Sequence, residues 1–173
     1  MVEIRPIAEA DWPQVHALVV EVAAAGETYT MDVPRSEAET RELWSGQHVV
    51  VAVDGETLLG SAKMGPNRPA QGAHVGTASF MVGSAARGRG VGRTMGEYAV
   101  AWLRANGFEA IQFNAVVSTN TAAIRLWRSL GFESVGVVPE AFRLPDSPVG
   151  TGRVPSYADL HVMYLRVKDS PRD

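Results

Sequence analysis

The alternation of apolar and polar positions divides this chain into short segments of changing period. Residues 3–6 read as a strand, and a helix follows. Asp11-Trp12-Pro13-Gln14 supplies its start: an Asx cap, a proline in the first turn and a glutamine three residues after the cap. Val15, Leu18, Val19 and Val22 recur at helical spacing, and Gly26 stops them. A second cap, Ser36 with Glu39 three residues on, opens a helix through Leu43 and Trp44. Strands over 48–53 and 57–64 flank Asp54-Gly55, a hairpin signal. Residues 65–72, with Pro66 and Pro69, read as a loop, and 75–82 as a strand. Val91, Met95, Tyr98 and Trp102 mark the buried face of a helix that ends at Asn106-Gly107. A strand over 111–117, a helix over 120–130 stopped by Gly131 and a short β-branched strand over 135–138 come next. A loop over 139–155 holds Pro145, Pro148, Gly150 and Gly152, and its length predicts a functional or mobile segment. A strand over 157–167 closes the pattern.

The order β-α-α-β-β-β-α-β-α-β-β predicts an α/β protein with a mixed sheet. It is antiparallel early and partly parallel around the helix after residue 82, which completes one right-handed βαβ unit. With 173 residues, no internal repeat and no linker, residues 1–173 read as a single domain. The net charge of −3 argues against a nucleic-acid surface. The lack of cysteine excludes disulfides, a thiolate nucleophile and zinc-thiolate sites, and no metal is expected. No run approaches the roughly 18 apolar residues of a membrane span. The opening Met1-Val2-Glu3-Ile4-Arg5 carries an acid early and no long apolar stretch, so the cytoplasm is the default expectation.

Chemistry concentrates in Arg87-Gly88-Arg89-Gly90-Val91-Gly92, between the strand-like Ser79-Phe80-Met81-Val82 and a helix opening near Arg93. The glycines leave the amide N–H groups uncovered, the helix dipole is positive there, and the arginines add formal charge. That predicts a cradle for a multiply charged phosphate group. A flexible turn is the plainer reading of any glycine cluster. A Walker loop is excluded because no Gly-Lys-Ser/Thr follows, and Gly88-x-Gly90-x-Gly92 has neither the spacing nor the place of a dinucleotide fingerprint. About thirty residues later a second cluster follows another strand: Asn120, Ala123, Leu126, Trp127, Gly131 and Phe132.

Arg87-x-x-Gly90-x-Gly92 resembles the acetyl-CoA signature of the GCN5-related N-acetyltransferase (GNAT) superfamily, Gln/Arg-x-x-Gly-x-Gly/Ala. The second cluster resembles that superfamily's next strand–helix unit, with its asparagine and its closing Gly-Phe. The resemblance implies the GNAT fold, a mixed central sheet with splayed strands flanked by helices, and acetyl-CoA as co-substrate. It implies that backbone amides from Gly88 to Arg93 (Gly88, Arg89, Gly90, Val91, Gly92, Arg93) grip the pyrophosphate beside Arg87. The pantetheine arm would pair with Phe80, Met81 and Val82 as a false extra strand, and an amide near Val82 would stabilise the oxyanion. Asn120 would contact the cofactor arm, although one of Ser118, Thr119 and Asn120 must also cap the following helix. Many relatives carry a tyrosine where this chain has Trp127, and an indole cannot protonate the leaving thiolate. Packing against the cofactor channel is the role expected of Trp127.

For the acceptor side, Glu27 and Tyr29 lie where this fold builds its acceptor wall, with Glu27 as a candidate proton acceptor beside the plainer reading of a solvated carboxylate. The loop over 139–155 would help to cover the acceptor pocket. Asn114 sits mid-strand, where asparagine is disfavoured, so a buried amide with a substrate partner is expected there. Phe113-Asn114-x-Val-x-x-Thr119-Asn120 is similar to the branch that acetylates proline-analogue imino acids, with Thr77 departing from its pattern. The segment around Glu27-Thr28-Tyr29 loosely resembles phosphinothricin-type acetyltransferases. Asp159 and His161 are expected to share a strand face. The implied function is acetyl transfer to the amine of a small molecule or amino or imino acid by direct attack, with a homodimer possible through the last strands. The alternatives are a non-catalytic acyl-CoA-binding regulatory module, and a protein lysine or N-terminal acetyltransferase.

Overall fold

The computed structural model describes residues 2–145 and 156–168. Seven strands form one sheet, β1 (Glu3–Pro6), β2 (His48–Asp54), β3 (Thr57–Pro66), β4 (Val75–Val82), β5 (Ala110–Val117), β6 (Glu133–Arg143) and β7 (Tyr157–Arg166), in the order β1-β2-β3-β4-β5-β7-β6. Helices α1 (Trp12–Ala25) and α2 (Glu37–Leu43) cover one face, and α3 (Val91–Ala105) and α4 (Thr121–Ser129) the other. The succession of helices and strands is the expected one, the sheet is mixed as the element order predicts, and it carries the splay that the resemblance implies.

Buried apolar positions on both sides of β2 explain the layering. Val51 and Val53 pack with Val15, Leu18 and Val19 of α1, while Val50 and Ala52 pack on the side of Met95, Ala99 and Leu103 of α3. A strand buried on both faces loses its apolar–polar alternation, which is why the run Val49-Val50-Val51-Ala52-Val53 reads as continuously hydrophobic. Under α1, the Trp44 indole donates to Ser61 Oγ at 2.8 Å, and Ser61 donates to the Val50 carbonyl at 2.9 Å.

Several local expectations need correction. The Asp11 side chain does not cap α1; it accepts from the Ala8 N–H at 2.7 Å and pairs with Arg5 at 2.6 Å. The hairpin turn falls one residue later, at Gly55-Glu56, because Asp54 still pairs with Thr57. Strand β3 runs on to Pro66. The largest change is at 139–155: residues 139–143 extend β6 instead of opening a loop, and residues 146–155 lie outside the described residues. A bulge hid this strand, since the register shifts between Val138 and Phe142 and Glu140 takes a left-handed φ of +51°.

The feature that makes a site is the splay. Strands β4 and β5 run parallel yet pair only at Val75 with Ala110 and Gly76 with Ile111. Beyond that point the rings of Phe80, Phe113 and Trp127 fill the gap on the α4 side, Trp127 standing 4.8 Å from each of the other two centroids. The C-terminal half of β4 is therefore an open edge inside the sheet.

Candidate active site

The glycine run follows β4 through a 3-10 turn at Ser84–Ala86. Gly88 and Gly90 adopt φ of +78° and +77°, the left-handed region in which side-chain-bearing residues are strained, so glycine is required there by the backbone path. A Cβ at either position would meet no atom within 4 Å. Gly90 is the N-cap of α3 and offers no capping side chain. Among the described residues, the N–H groups of Gly88, Gly90, Val91, Gly92 and Arg93 find no acceptor. Five open amides at the positive end of a 15-residue helix form a ready anion cradle.

The arginines here are partly engaged. Arg89 pairs with Asp54 at 2.7 Å, Arg93 donates to Ser129 Oγ at 2.8 Å, and Arg87 stands 3.9 Å from Glu27. The Glu27–Arg87 contact is exposed, so Glu27 has the surroundings of a solvated loop carboxylate, tied weakly to the anion cradle. Glu21, which the sequence pattern did not single out, accepts from the Ser84 N–H at 2.7 Å. That bond to the Ser84 backbone holds the Glu21 carboxyl below its ordinary range and fixes the turn leading into the glycine run.

Along the open edge, Phe80 and Val82 alternate with residues that serve β3. Met81 buries its side chain in the α1 core and aims its carbonyl at Gly60, so it faces away from the gap. Phe80 presents its N–H and C=O outward, and the Tyr29 hydroxyl meets both, accepting from Phe80 N at 2.9 Å and donating to Phe80 O at 2.7 Å. Burial pushes this phenol well above its ordinary value, the Phe80 bond only partly offsetting it. Tyr29 thus ties the segment between α1 and α2 to the splayed edge.

Asn120 is the residue that caps α4, its Oδ1 accepting from Ala123 N at 3.1 Å. Its side-chain amide nitrogen has no acceptor among the described residues. Trp127 is buried and packs on α3 at Gly96, where a Cβ would come within 2.8 Å of the indole. Asn114 is exposed instead of buried. It donates to Asn67 Oδ1 at 2.6 Å and accepts from Gln112 Nε2 at 2.8 Å. A bulge between Phe113 and Val116 explains why an asparagine is tolerated mid-strand. Asp159 and His161 do not work together: Asp159 Oδ1 accepts from Glu140 N at 2.9 Å, and His161 Nδ1 lies 2.9 Å from Ser134 Oγ.

A cavity of about 360 Å³ opens beside Tyr29, lined also by Met31, Asp32, Phe142 and Arg143. The sequence pattern placed the last two inside a functional loop over 139–155 without singling them out, because they belong to the bulged end of β6. Among the described residues, no group of three or more His, Cys, Asp or Glu side chains could hold a metal ion. Among the described residues, no helix is long and apolar enough to cross a membrane.

A profile of the acetyltransferase (GNAT) family matches residues 6–132. A solved GCN5-related N-acetyltransferase from Kribbella flavida superposes with a TM-score of 0.86 at 48% identity, over 96% of this chain and 98% of that one. A phosphinothricin acetyltransferase from Sinorhizobium meliloti, solved in complex with AcCoA, shares the fold with a TM-score of 0.81 at 24% identity, over 95% and 88% of the two chains. N-acetyltransferase aca1 of Schizosaccharomyces pombe is 31% identical over 137 residues, which are 69% of this chain and 66% of that protein. Protein SPT10 of Saccharomyces cerevisiae is 35% identical over 83 residues, 48% of this chain but only 13% of that protein. This chain therefore spans about two thirds of the first curated relative's length and a small part of the second's. With the profile covering most of its length and the cradle and splay in place, the chain belongs to the acetyltransferase (GNAT) family.

Proposed function

We propose that this chain is an acetyl-CoA-dependent N-acetyltransferase whose acceptor is the amine of a small molecule. The carrying observation is the convergence of five open amides at Gly88–Arg93 on an open β4 edge that ends beside the Tyr29 cavity. Acetyl-CoA supplies an activated acyl carbonyl and a sulfur leaving group. The α3 amides bind its diphosphate, and the outward groups of Val82 take the amide arm in place of a missing strand, while the Tyr29 hydroxyl holds those of Phe80. Asn120, through the nitrogen its cap leaves over, adds a donor to that arm. The Val82 N–H, next along the open edge, opposes negative charge developing on the carbonyl oxygen.

In the transfer, the lone pair of the neutral amine attacks the carbonyl carbon. A C–N bond forms, the C–S bond breaks with its electrons on sulfur, and the amine gives up one proton while the thiolate gains one. Glu27 and Tyr29 form the acceptor side, Asn114 adds the amide hydrogen that its bond to Asn67 leaves over, and Glu27 is the candidate to take the proton. Trp127 packs the channel wall and does no proton chemistry. A cavity of about 360 Å³ is of a size that takes a small acceptor. The reading places the enzyme in the cytoplasm. It also includes a homodimer through β6, whose Val135, Val137 and Val138 are 59%, 49% and 48% exposed.

Thiol release over a panel of amines, with intact mass of the products, tests the reading. Acetylated product and stoichiometric thiol are expected. Tight uptake of coenzyme A with no product from any amine would leave the regulatory module as the better description.

A further inference from the structure

The gap between β4 and β5 is a path that closes at one end. A chain anchored on the amides of the cradle meets the open edge of β4 at Val82. From there it runs back toward Gly76 and Ile111, where the two strands pair. Two walls stand across that path at Phe80. On the α4 side the rings of Phe80, Phe113 and Trp127 meet, with centroids 4.8 to 5.7 Å apart. On the α1 side the Tyr29 hydroxyl occupies both outward backbone groups of Phe80, 2.9 Å from the nitrogen and 2.7 Å from the oxygen. The Tyr29 ring is no loose lid. It packs on the buried cluster under α1 and meets Trp44 edge-on at 6.2 Å. Trp44 is in turn fully buried and bonded to Ser61.

We propose that Tyr29 sets the length of the acyl group this chain transfers, closing the path just behind the methyl of an acetyl thioester. The proposal rests on the acetyltransferase reading and adds the residue that fixes its donor. With the thioester carbonyl at the Val82 N–H, the next outward groups along the edge are those of Phe80. Two residues of extended strand put them about 6.6 Å away. The Tyr29 oxygen stands there, and a carbon atom needs about 3.5 Å from its neighbours. What is left holds a methyl group and not a tail of three carbons. Sideways the path is bounded by Phe113 and Trp127, both buried. Tyr29 also lines the cavity offered to the acceptor, so a longer acyl group that bent into it would take the acceptor's place.

The test offers acetyl-, propionyl-, butyryl- and hexanoyl-CoA with one amine that the wild type acetylates, following thiol release and product mass. For the wild type, kcat/KM should fall about tenfold or more from acetyl to butyryl, the size expected for methylenes forced against packed side chains. Tyr29→Ala removes the wall and should raise the butyryl-to-acetyl ratio about tenfold or more. Tyr29→Phe removes only the hydroxyl; it should raise the propionyl-to-acetyl ratio severalfold and still exclude hexanoyl. A residue that merely holds the fold would lower all the donors by one factor. Calorimetry with coenzyme A shows that the variants are folded, and if Tyr29→Ala is not, the Tyr29→Phe ratio decides alone. Butyryl used as well as acetyl by the wild type, or a propionyl-to-acetyl ratio unchanged in Tyr29→Phe, overturns the proposal. If no amine is acetylated, the acetyltransferase reading falls, and calorimetry with the same thioesters reads the wall by itself. Affinity that drops with acyl length then keeps Tyr29 as the limit, and equal affinities remove it.

Discussion

The Tyr29 hydroxyl satisfies both hydrogen-bonding groups of Phe80, on a strand edge that would otherwise face the gap in the sheet. The bond needs a neutral phenol, and burial holds the proton on. The pH dependence follows from the raised value. Below about pH 10, folded and unfolded chains both keep the proton, and the contribution is intact. Above that, the unfolded chain releases it first, so stability falls as pH rises. Denaturant midpoints between about pH 9.5 and 11.5 should fall more steeply for the wild type than for Tyr29→Phe; parallel slopes would contradict this. Gly90 illustrates the opposite case, a residue chosen for its backbone. Its φ of +77° makes Gly90→Ala a strained substitution costing about 1–2 kcal/mol, with no clash involved because its Cβ would meet open space. A lower thermal midpoint and weaker coenzyme A binding are expected together. Normal affinity in a destabilised variant would show that the turn is merely structural.

Two elements owe their shape to single side chains. Helix α4 begins at Asn120, whose oxygen caps the Ala123 N–H and whose nitrogen is left over for a ligand. Asn120→Asp keeps the cap and the favourable charge at the helix start. It should hold the thermal midpoint while weakening acetyl-CoA binding; Asn120→Ala should lose about 1 kcal/mol of stability in addition. If the aspartate variant binds acetyl-CoA as well as the wild type, Asn120 is a cap and no more. Strand β6 depends on the Glu140 bulge. Glycine tolerates a φ of +51° that glutamate does not, so Glu140→Gly should raise stability by about 1 kcal/mol, read from denaturant midpoints. A loss of that size would mean that the Glu140 side chain itself holds the bulge.

At the scale of the whole molecule, the element order and the anion cradle were legible because each has a local cause. Apolar spacing marks the helices, β-branched runs mark the strands, and Gly88, Gly90 and Gly92 uncover the amides whatever lies around them. What was not legible depends on partners distant in sequence. Asn114 looked like a buried amide in want of a substrate, yet Asn67 and Gln112 already engage it. The second half of β6 looked like loop because its bulge, fixed by Asp159, breaks the strand period. Arg143, inside the segment read as a functional loop, reaches the Tyr29 cavity from the end of that strand. The account as a whole depends on a diphosphate seated at the start of α3. The most direct test is an amide-resolved NMR titration with coenzyme A. It should shift the N–H resonances of Gly88, Gly90, Val91, Gly92 and Arg93 most strongly and slow their exchange with solvent. Saturable binding that leaves these five amides unmoved, or no binding by folded protein, would contradict it.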